Sequence, residues 1–306
     1  MRYTPMAILL FLLLVQPGIR PSEHCRCDAV QADGHECLND NHVLHEDGAM
    51  VVDDQALRKR LAVEGERLIE QKQITEMDEL IKQLGRDCCE LELPQPKKIA
   101  GGPVEVFAKA KDSVVLVAGL RKCEKCVDWH AAAASGFAIA SGAIVTNYHV
   151  VDDSKKEALV VMTSDGRVLP VECVLAASQE NDLAILKLDV DDLAPLAIAS
   201  DTPPVGSPVS VISHPAGRYY CFTSGIVSRH MKMRSKAGET EGLSITADFA
   251  RGSSGAPILD SQGRVIGIAK CTESVYYTEK GNEQKNLQMV FKMGIPAKNV
   301  LKLIKG

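Results

Sequence analysis

The chain has 306 residues, enough for one large domain with a smaller one, or for two small domains. A formal charge of -5, 4% aromatic residues and a single tryptophan, Trp129, argue against a nucleic-acid footprint and against a stacking platform for bases. An apolar content of 45% is ordinary for a globular protein.

The N-terminus reads as an export signal. Arg2 precedes an unbroken apolar run at residues 6–15, MAILLFLLLV, which is too short to span a bilayer. Removal between Gly18 and Ser22 is expected, giving a signal peptide over residues 1–20; an uncleaved anchor is the alternative. No later stretch has the length and apolarity of a membrane helix, so no stable span is expected after signal removal, and the localisation is secreted or periplasmic. Ten cysteines agree with an exported chain, where disulfides persist. Their pairing cannot be deduced from spacing.

Residues 21–98 form a Cys- and His-containing, helical N-terminal region. Its first part holds His24, Cys25, Cys27, His35 and Cys37, read as a disulfide-stapled segment with a partner such as Cys88 or Cys89. Metal capture by this cluster is the competing reading. Residues 52–86 carry Leu57, Leu61, Leu68, Ile69, Ile74, Met77, Leu80 and Ile81 at near-helical spacing, with Thr75 as a potential interruption. This helix is a packing, oligomer-forming or pro-segment element, and the sequence leaves these open. The Pro- and Gly-containing stretch 93–103 then reads as a linker, placing a domain over residues 99–306.

From about residue 104 the texture is that of short strands separated by tight turns. Candidates lie at 113–120, in GFAIA and AIVTN around Ser141-Gly142, and in a hairpin over 159–176 turning at Asp165-Gly166. Others follow at 182–188, 207–213, 219–229, 242–249, 256–260, 264–271 and 287–293. A closing helix is expected over 296–305, with Pro296 at its start. Many strands and only a terminal helix exclude alternating β/α units and indicate an all-β barrel or sandwich. Cys123-x-x-Cys126, with His130 nearby, is read as a disulfide in preference to half a metal site or a redox pair.

Residues 248–260, DFARGSSGAPILD, place two serines among small residues. A serine hydroxyl needs a base, and the base needs an orienting acceptor. His149, in IVTNYHVV, ends a buried strand where a rim would expose it; Asp182, in NDLAILKL, precedes an apolar strand that would draw its carboxylate against the protein body. Of the two serines, Ser254 is the better nucleophile. Its own N–H and that of Gly252 can form an oxyanion hole, whereas Arg251 occupies the equivalent place for Ser253. His214, in SHPAG, reads as a turn residue.

TNYHVV, NDLAILKL and GSSGAP, in this order, resemble the trypsin-like serine peptidases of the HtrA/Deg type. TSGIVS, RVIGIAKC and FKMGIPAKNVLKLI resemble their second-barrel strands and closing segment. The resemblance covers about residues 104–306. It implies two six-stranded antiparallel β-barrels with a C-terminal helix, a cleft between them, a catalytic set of His149, Asp182 and Ser254, an oxyanion hole of Gly252 and Ser254, polypeptide substrates and no cofactor or metal. A homo-oligomer is left open. Two departures stand out: the loop reads Gly252-Ser253-Ser254-Gly255-Ala256 where the family usually has G-N-S-G-G, and no PDZ-type segment follows, so PDZ functions are not carried over.

The same resemblance implies a substrate pocket containing Asp248, Lys270, Cys271 and Thr272. A buried Asp248 would favour Lys or Arg before the cut bond. The alternatives are a pocket for small aliphatic side chains, with Asp248 turned elsewhere or neutralised by Lys270, and a glutamyl-endopeptidase-like preference. The rival from another class is a catalytically inactive binding protein on the same fold, with the Cys/His region capturing a metal or partner.

Overall fold

In the computed structural model, the described residues are 43–46, 49–95, 101–123, 125, 128–235, 237–280 and 283–305. The expected signal peptide, the early Cys/His cluster and Cys126 lie outside them. Residues 38–306 make one compact unit.

The unit begins with a two-stranded hairpin, β1 (Val43–Glu46) and β2 (Ala49–Val52). Helix α1 (Asp54–Glu70) follows, started by Asp53, whose carboxylate accepts from the Gln55 and Ala56 N–H groups. Leu57, Leu61, Gly65 and Leu68 form its buried stripe. Gly65 lets α1 pack close to Leu120: a Cβ at that position would stand 2.3 Å from the Leu120 Cδ1, so that side chain would have to shift. The apolar period of residues 52–86 does not give one helix. Lys72 takes a left-handed φ of +56°, the Thr75 hydroxyl donates to the Glu172 carbonyl, and a second helix, α2, runs over Met77–Gln83. Gln83 and Arg86 then serve β8 (Val168–Ser178): the Gln83 side-chain oxygen accepts from the Val174 N–H, and the Arg86 guanidinium donates to the Val174 carbonyl.

Strand β3 (Cys89–Glu90) precedes α3 (Pro103–Ala110), which falls at the edge of the stretch read as a linker. Pro103 opens α3 with its φ already helical, and Glu105 reaches back to accept from the Gly102 N–H.

Two closed antiparallel barrels complete the unit. The first contains β4 (Val114–Lys122), β5 (Trp129–Ala140), β6 (Ala143–Thr146), β7 (Ala158–Met162), β8 and β9 (Leu183–Leu188), in the order β4-β5-β6-β9-β8-β7. The second contains β10 (Pro208–Ser213), β11 (Cys221–Ser235), β12 (Gly238–Ile245), β13 (Pro257–Asp260), β14 (Val265–Lys280) and β15 (Glu283–Pro296), in the order β10-β11-β12-β15-β14-β13. The all-β, two-barrel expectation therefore stands. Strand β4 is buried from Val114 to Leu120 without alternation. One face, Val115 and Val117, packs in one cluster with Ile144 and Leu186, and the other, Leu116 and Leu120, in a second with Leu57, Leu61 and Phe137. Burying each such side chain stabilises by about 1.5–3 kcal/mol. The second barrel has its own interior, including Val211, Val227, Leu243, Phe249 and Ile258.

The chain end departs from expectation. The closing helix, α5, spans only Lys298–Leu301, and β16 (Ile304–Lys305) then pairs in parallel with β3, Ile304 opposite Cys89. Cys88 and Cys89 are free thiols in this structure, and the early cysteines expected to pair with them lie outside the described residues. Cys173, Cys221 and Cys271 are also free.

Candidate active site

His149 does not end a strand. It sits in α4 (Tyr148–Val151), a single turn that begins directly after β6, with extended Asn147 as its entry residue. Asn147 is buried, and its side-chain N–H donates to the Asp182 carbonyl. This places the turn before β9 against α4. Asp182 itself occupies the left-handed region, φ +53°, which a short polar residue tolerates best. From there Oδ1 accepts from the His149 backbone N–H at 3.0 Å, and His149 Nδ1 lies 3.0 Å from both carboxylate oxygens. A carboxylate on Nδ1 fixes the proton there and leaves Nε2 as the acceptor. The Asp182 side chain is 11% exposed and that of His149 51%, so the carboxylate lies in the wall while the ring faces solvent.

Lys270, on β14, approaches the same carboxylate, with Nζ 3.7 Å from Asp182 Oδ2. Its backbone carbonyl accepts from the Ser254 hydroxyl at 3.2 Å. The structure thus brings His149, Asp182, Ser254 and Lys270 to one cleft of about 340 Å³, whose walls also include Phe249, Ala250, Arg251, Cys271 and Thr272. Among the described residues, the His149 Nε2 carries no hydrogen bond, and the Ser254 hydroxyl rests on the Lys270 carbonyl instead of on the ring.

The two serines separate clearly. Ser253 is fully buried and its hydroxyl donates to that of Ser213. Ser254 lines the cleft. The loop that presents it is fastened across the barrels: Ser135 on β5 donates its N–H to the Ser254 carbonyl and its hydroxyl to the Gly252 carbonyl. Gly252 has φ +98°, and a Cβ there would lie 2.5 Å from the His214 carbonyl oxygen. Among the described residues, neither the Gly252 nor the Ser254 N–H carries a hydrogen bond. Both amides are therefore available to a developing anion.

Asp248 is outside this cleft. Its side chain is 81% exposed and its carboxylate meets Lys292 Nζ at 3.0 Å, while the same ammonium donates to the Phe249 carbonyl. A buried carboxylate flooring the pocket is therefore not what this chain builds; Lys292 draws Asp248 outward. Phe249, Ala250 and Arg251 were not singled out from sequence, although they directly precede Gly252 in the loop. Lys270, Cys271 and Thr272 do line the cleft. Burial, together with nearby Asp182 and Glu273, raises the Cys271 thiol above its ordinary pKa, against the opposing pull of Lys270.

His214 is, as expected, a turn residue, standing between the end of β10 and the short turn Pro215–Gly217, but it is fully buried: its Nδ1 accepts from the Tyr220 N–H, and Tyr219 and Tyr220 contact its ring edge to face. Burial pushes its pKa down to about 3, against the opposing effect of the Val115 carbonyl.

Residues 134–268 match the trypsin-like peptidase domain family. The chain is similar to two proteins named "Probable periplasmic serine endoprotease DegP-like". One is from Halomonas elongata, 35% identical over 136 residues, covering 44% of this chain and 28% of the relative. The other is from Hahella chejuensis, 36% identical over 151 residues, covering 48% and 30%. It is also similar to "Anti-sigma-I factor RsgI9" of Acetivibrio thermocellus, 30% identical over 159 residues, covering 51% and 21%. The chain thus spans under a third of the length of these relatives.

Proposed function

We propose that the barrel region of this chain is a trypsin-like serine peptidase of the HtrA type, a serine endopeptidase using Ser254, His149 and Asp182; the match of residues 134–268 to the trypsin-like peptidase domain and the similarity to DegP-like proteins support this. The observation that carries the reading is the Asp182–His149 pair, closed by two N–H contacts from one residue, in a cleft lined by the half-buried Ser254. In the reaction, the Ser254 hydroxyl leaves the Lys270 carbonyl by rotation about its Cα–Cβ bond and donates to His149 Nε2. Its oxygen attacks the scissile carbonyl as the proton passes to Nε2. The tetrahedral oxyanion is received by the Gly252 and Ser254 amides. Collapse expels the amine, which takes the proton from Nε2, and leaves an acyl-enzyme. Water then attacks the ester with His149 again as base. Asp182 keeps the ring oriented and balances the imidazolium in both halves. No cofactor enters these steps.

Export fits the apolar run at residues 6–15 and the periplasmic relatives, and exposed segments of exported proteins are the substrates this reading favours. With Asp248 turned out to Lys292, the pocket beside Phe249 and Ala250 fits small aliphatic side chains better than Lys or Arg. The test is hydrolysis of an unfolded reporter protein by the purified mature chain. Activity present in wild type and Ser253→Ala but absent in Ser254→Ala supports the reading. A folded wild type without hydrolysis transfers the scaffold to binding.

A further inference from the structure

We propose that helix α1 is a positioning element for the oxyanion loop, with Asp54 and Arg58 holding the 214–220 loop and that loop holding the Arg251–Gly252 peptide; its catalytic part rests on the function proposed above. Three links build the path. First, the Tyr219 N–H donates to Asp54 Oδ1 at 2.8 Å, and Arg58 Nη2 donates to the Gly217 carbonyl at 3.5 Å. The Tyr219 and Tyr220 rings pack in the same core as Leu57 and Leu61 of α1.

Second, the loop cannot relax into this shape unaided. Ala216 and Tyr220 take φ values of +51° and +56°, the left-handed region that side chains disfavour. Such residues persist where surrounding contacts over-determine them, and the α1 contacts lie between and beside them.

Third, the Ala216 N–H donates to the Arg251 carbonyl at 2.6 Å. That carbonyl and the Gly252 N–H belong to one peptide unit. The unit is planar, and no peptide bond here is cis, so the two groups point in opposite directions. Fixing the Arg251 carbonyl on Ala216 therefore fixes the direction of the Gly252 N–H. The His214 N–H adds a second tether through the Ser135 hydroxyl to the Gly252 carbonyl. Releasing Asp54 and Arg58 frees the loop, and the Gly252 peptide can then rotate its N–H out of place.

The test compares the full chain with Asp54→Ala/Arg58→Met, with Asp54→Asn, which keeps an acceptor, and with Lys59→Ala, an exposed control on the same helix. Hydrogen exchange at residues 216–220 and 251–254 is read first. The double variant is expected to exchange there roughly tenfold faster, with Asp54→Asn and Lys59→Ala near wild type. Peptide hydrolysis is read second: kcat falls about tenfold with KM within about twofold, the split expected when an oxyanion donor is misaligned. Should the double variant fail to fold, Arg58→Met alone is read in the same way. Unchanged exchange in a folded variant overturns the clamp, as does a loss of activity with kcat and KM moving together. A wild type without hydrolysis overturns the peptidase reading only, because the exchange result still decides the clamp.

Discussion

In the first barrel, Asp182 receives both the backbone N–H and the ring Nδ1 of His149, while Asn147 ties the Asp182 carbonyl to the same turn. In the second, Ser254 has its backbone fastened by Ser135 but its hydroxyl parked on the Lys270 carbonyl. The first half of the site is preorganised by contacts between two turns of one barrel. The second depends on a side-chain rotation and on loop contacts that come from other parts of the unit, including β5 and α1. On the function proposed above, the hydrogen-bonded Asp182–His149 pair is in place before substrate arrives, and what remains to be set is the proposed nucleophile and its oxyanion donors. This is an economical division, because rotating a hydroxyl is a small step compared with seating a carboxylate in the wall with its hydrogen bonds made.

The comparison breaks most sharply at the reacting groups. Ser254→Ala is expected to lower kcat by roughly 10⁶-fold and Asp182→Asn by roughly 10⁴-fold, through the wrong ring tautomer. Steady-state hydrolysis with a folded control, by circular dichroism, checks both; equal small losses in the two variants would dissolve the distinction between the halves. Gly252→Ala comes next. It forces a side chain onto a left-handed residue with the His214 carbonyl 2.5 Å from its Cβ, so the oxyanion peptide must move. A fall of about 10²–10³-fold in kcat with the fold retained is expected, read by the same assay.

A smaller effect sharpens the comparison through pH. His214 lies behind the second-barrel loop with a pKa of about 3, below its unfolded value, so the unfolded chain binds a proton that the folded chain refuses. Stability from this group is complete above about pH 6.5 and is lost as pH falls toward 3. Between pH 7 and pH 5 the wild type is expected to lose about 2 kcal/mol that His214→Gln does not. Urea unfolding at the two pH values measures this. Asp248→Ser has the smallest expected effect, less than about twofold in kcat/KM for peptides with Lys or Arg before the cut bond, because its carboxylate is exposed on Lys292. Profiling with a peptide library reads it.

Much of this was legible from local pattern. Strands such as β4, β7 and β10 are β-branched runs that the pattern marks, and the hairpin turn at Asp165-Gly166 is strong local chemistry; β11, β14 and β15, at 15, 16 and 14 residues, run well past the short segments expected there. What was not legible depends on distant partners. Helix α3 was hidden because Gly101-Gly102-Pro103 reads equally as a linker or as a helix entry. Thr75 was legible as an interruption between α1 and α2, but its partner, the Glu172 carbonyl, was not, and the short end of α5 rests on β16 finding β3, two segments far apart in the chain. Of the site residues, His149, Asp182 and Ser254 could be selected because each carries chemistry in a recognisable setting. The direction of Asp248 could not, because Lys292 that captures it lies on another strand. The burial of His214 was missed for a similar reason: SHPAG looks like a polar turn until Tyr219 and Tyr220 fold over it.

Treatment of the folded chain with a fluorophosphonate, followed by peptide mapping of the adduct, most directly asks whether these separated side chains act as one reactive unit. The expected result is a single phosphonylated peptide with the mass on Ser254, formed in Ser253→Ala and absent in His149→Ala. An unmodified folded wild type, or an adduct carried elsewhere, would contradict the account.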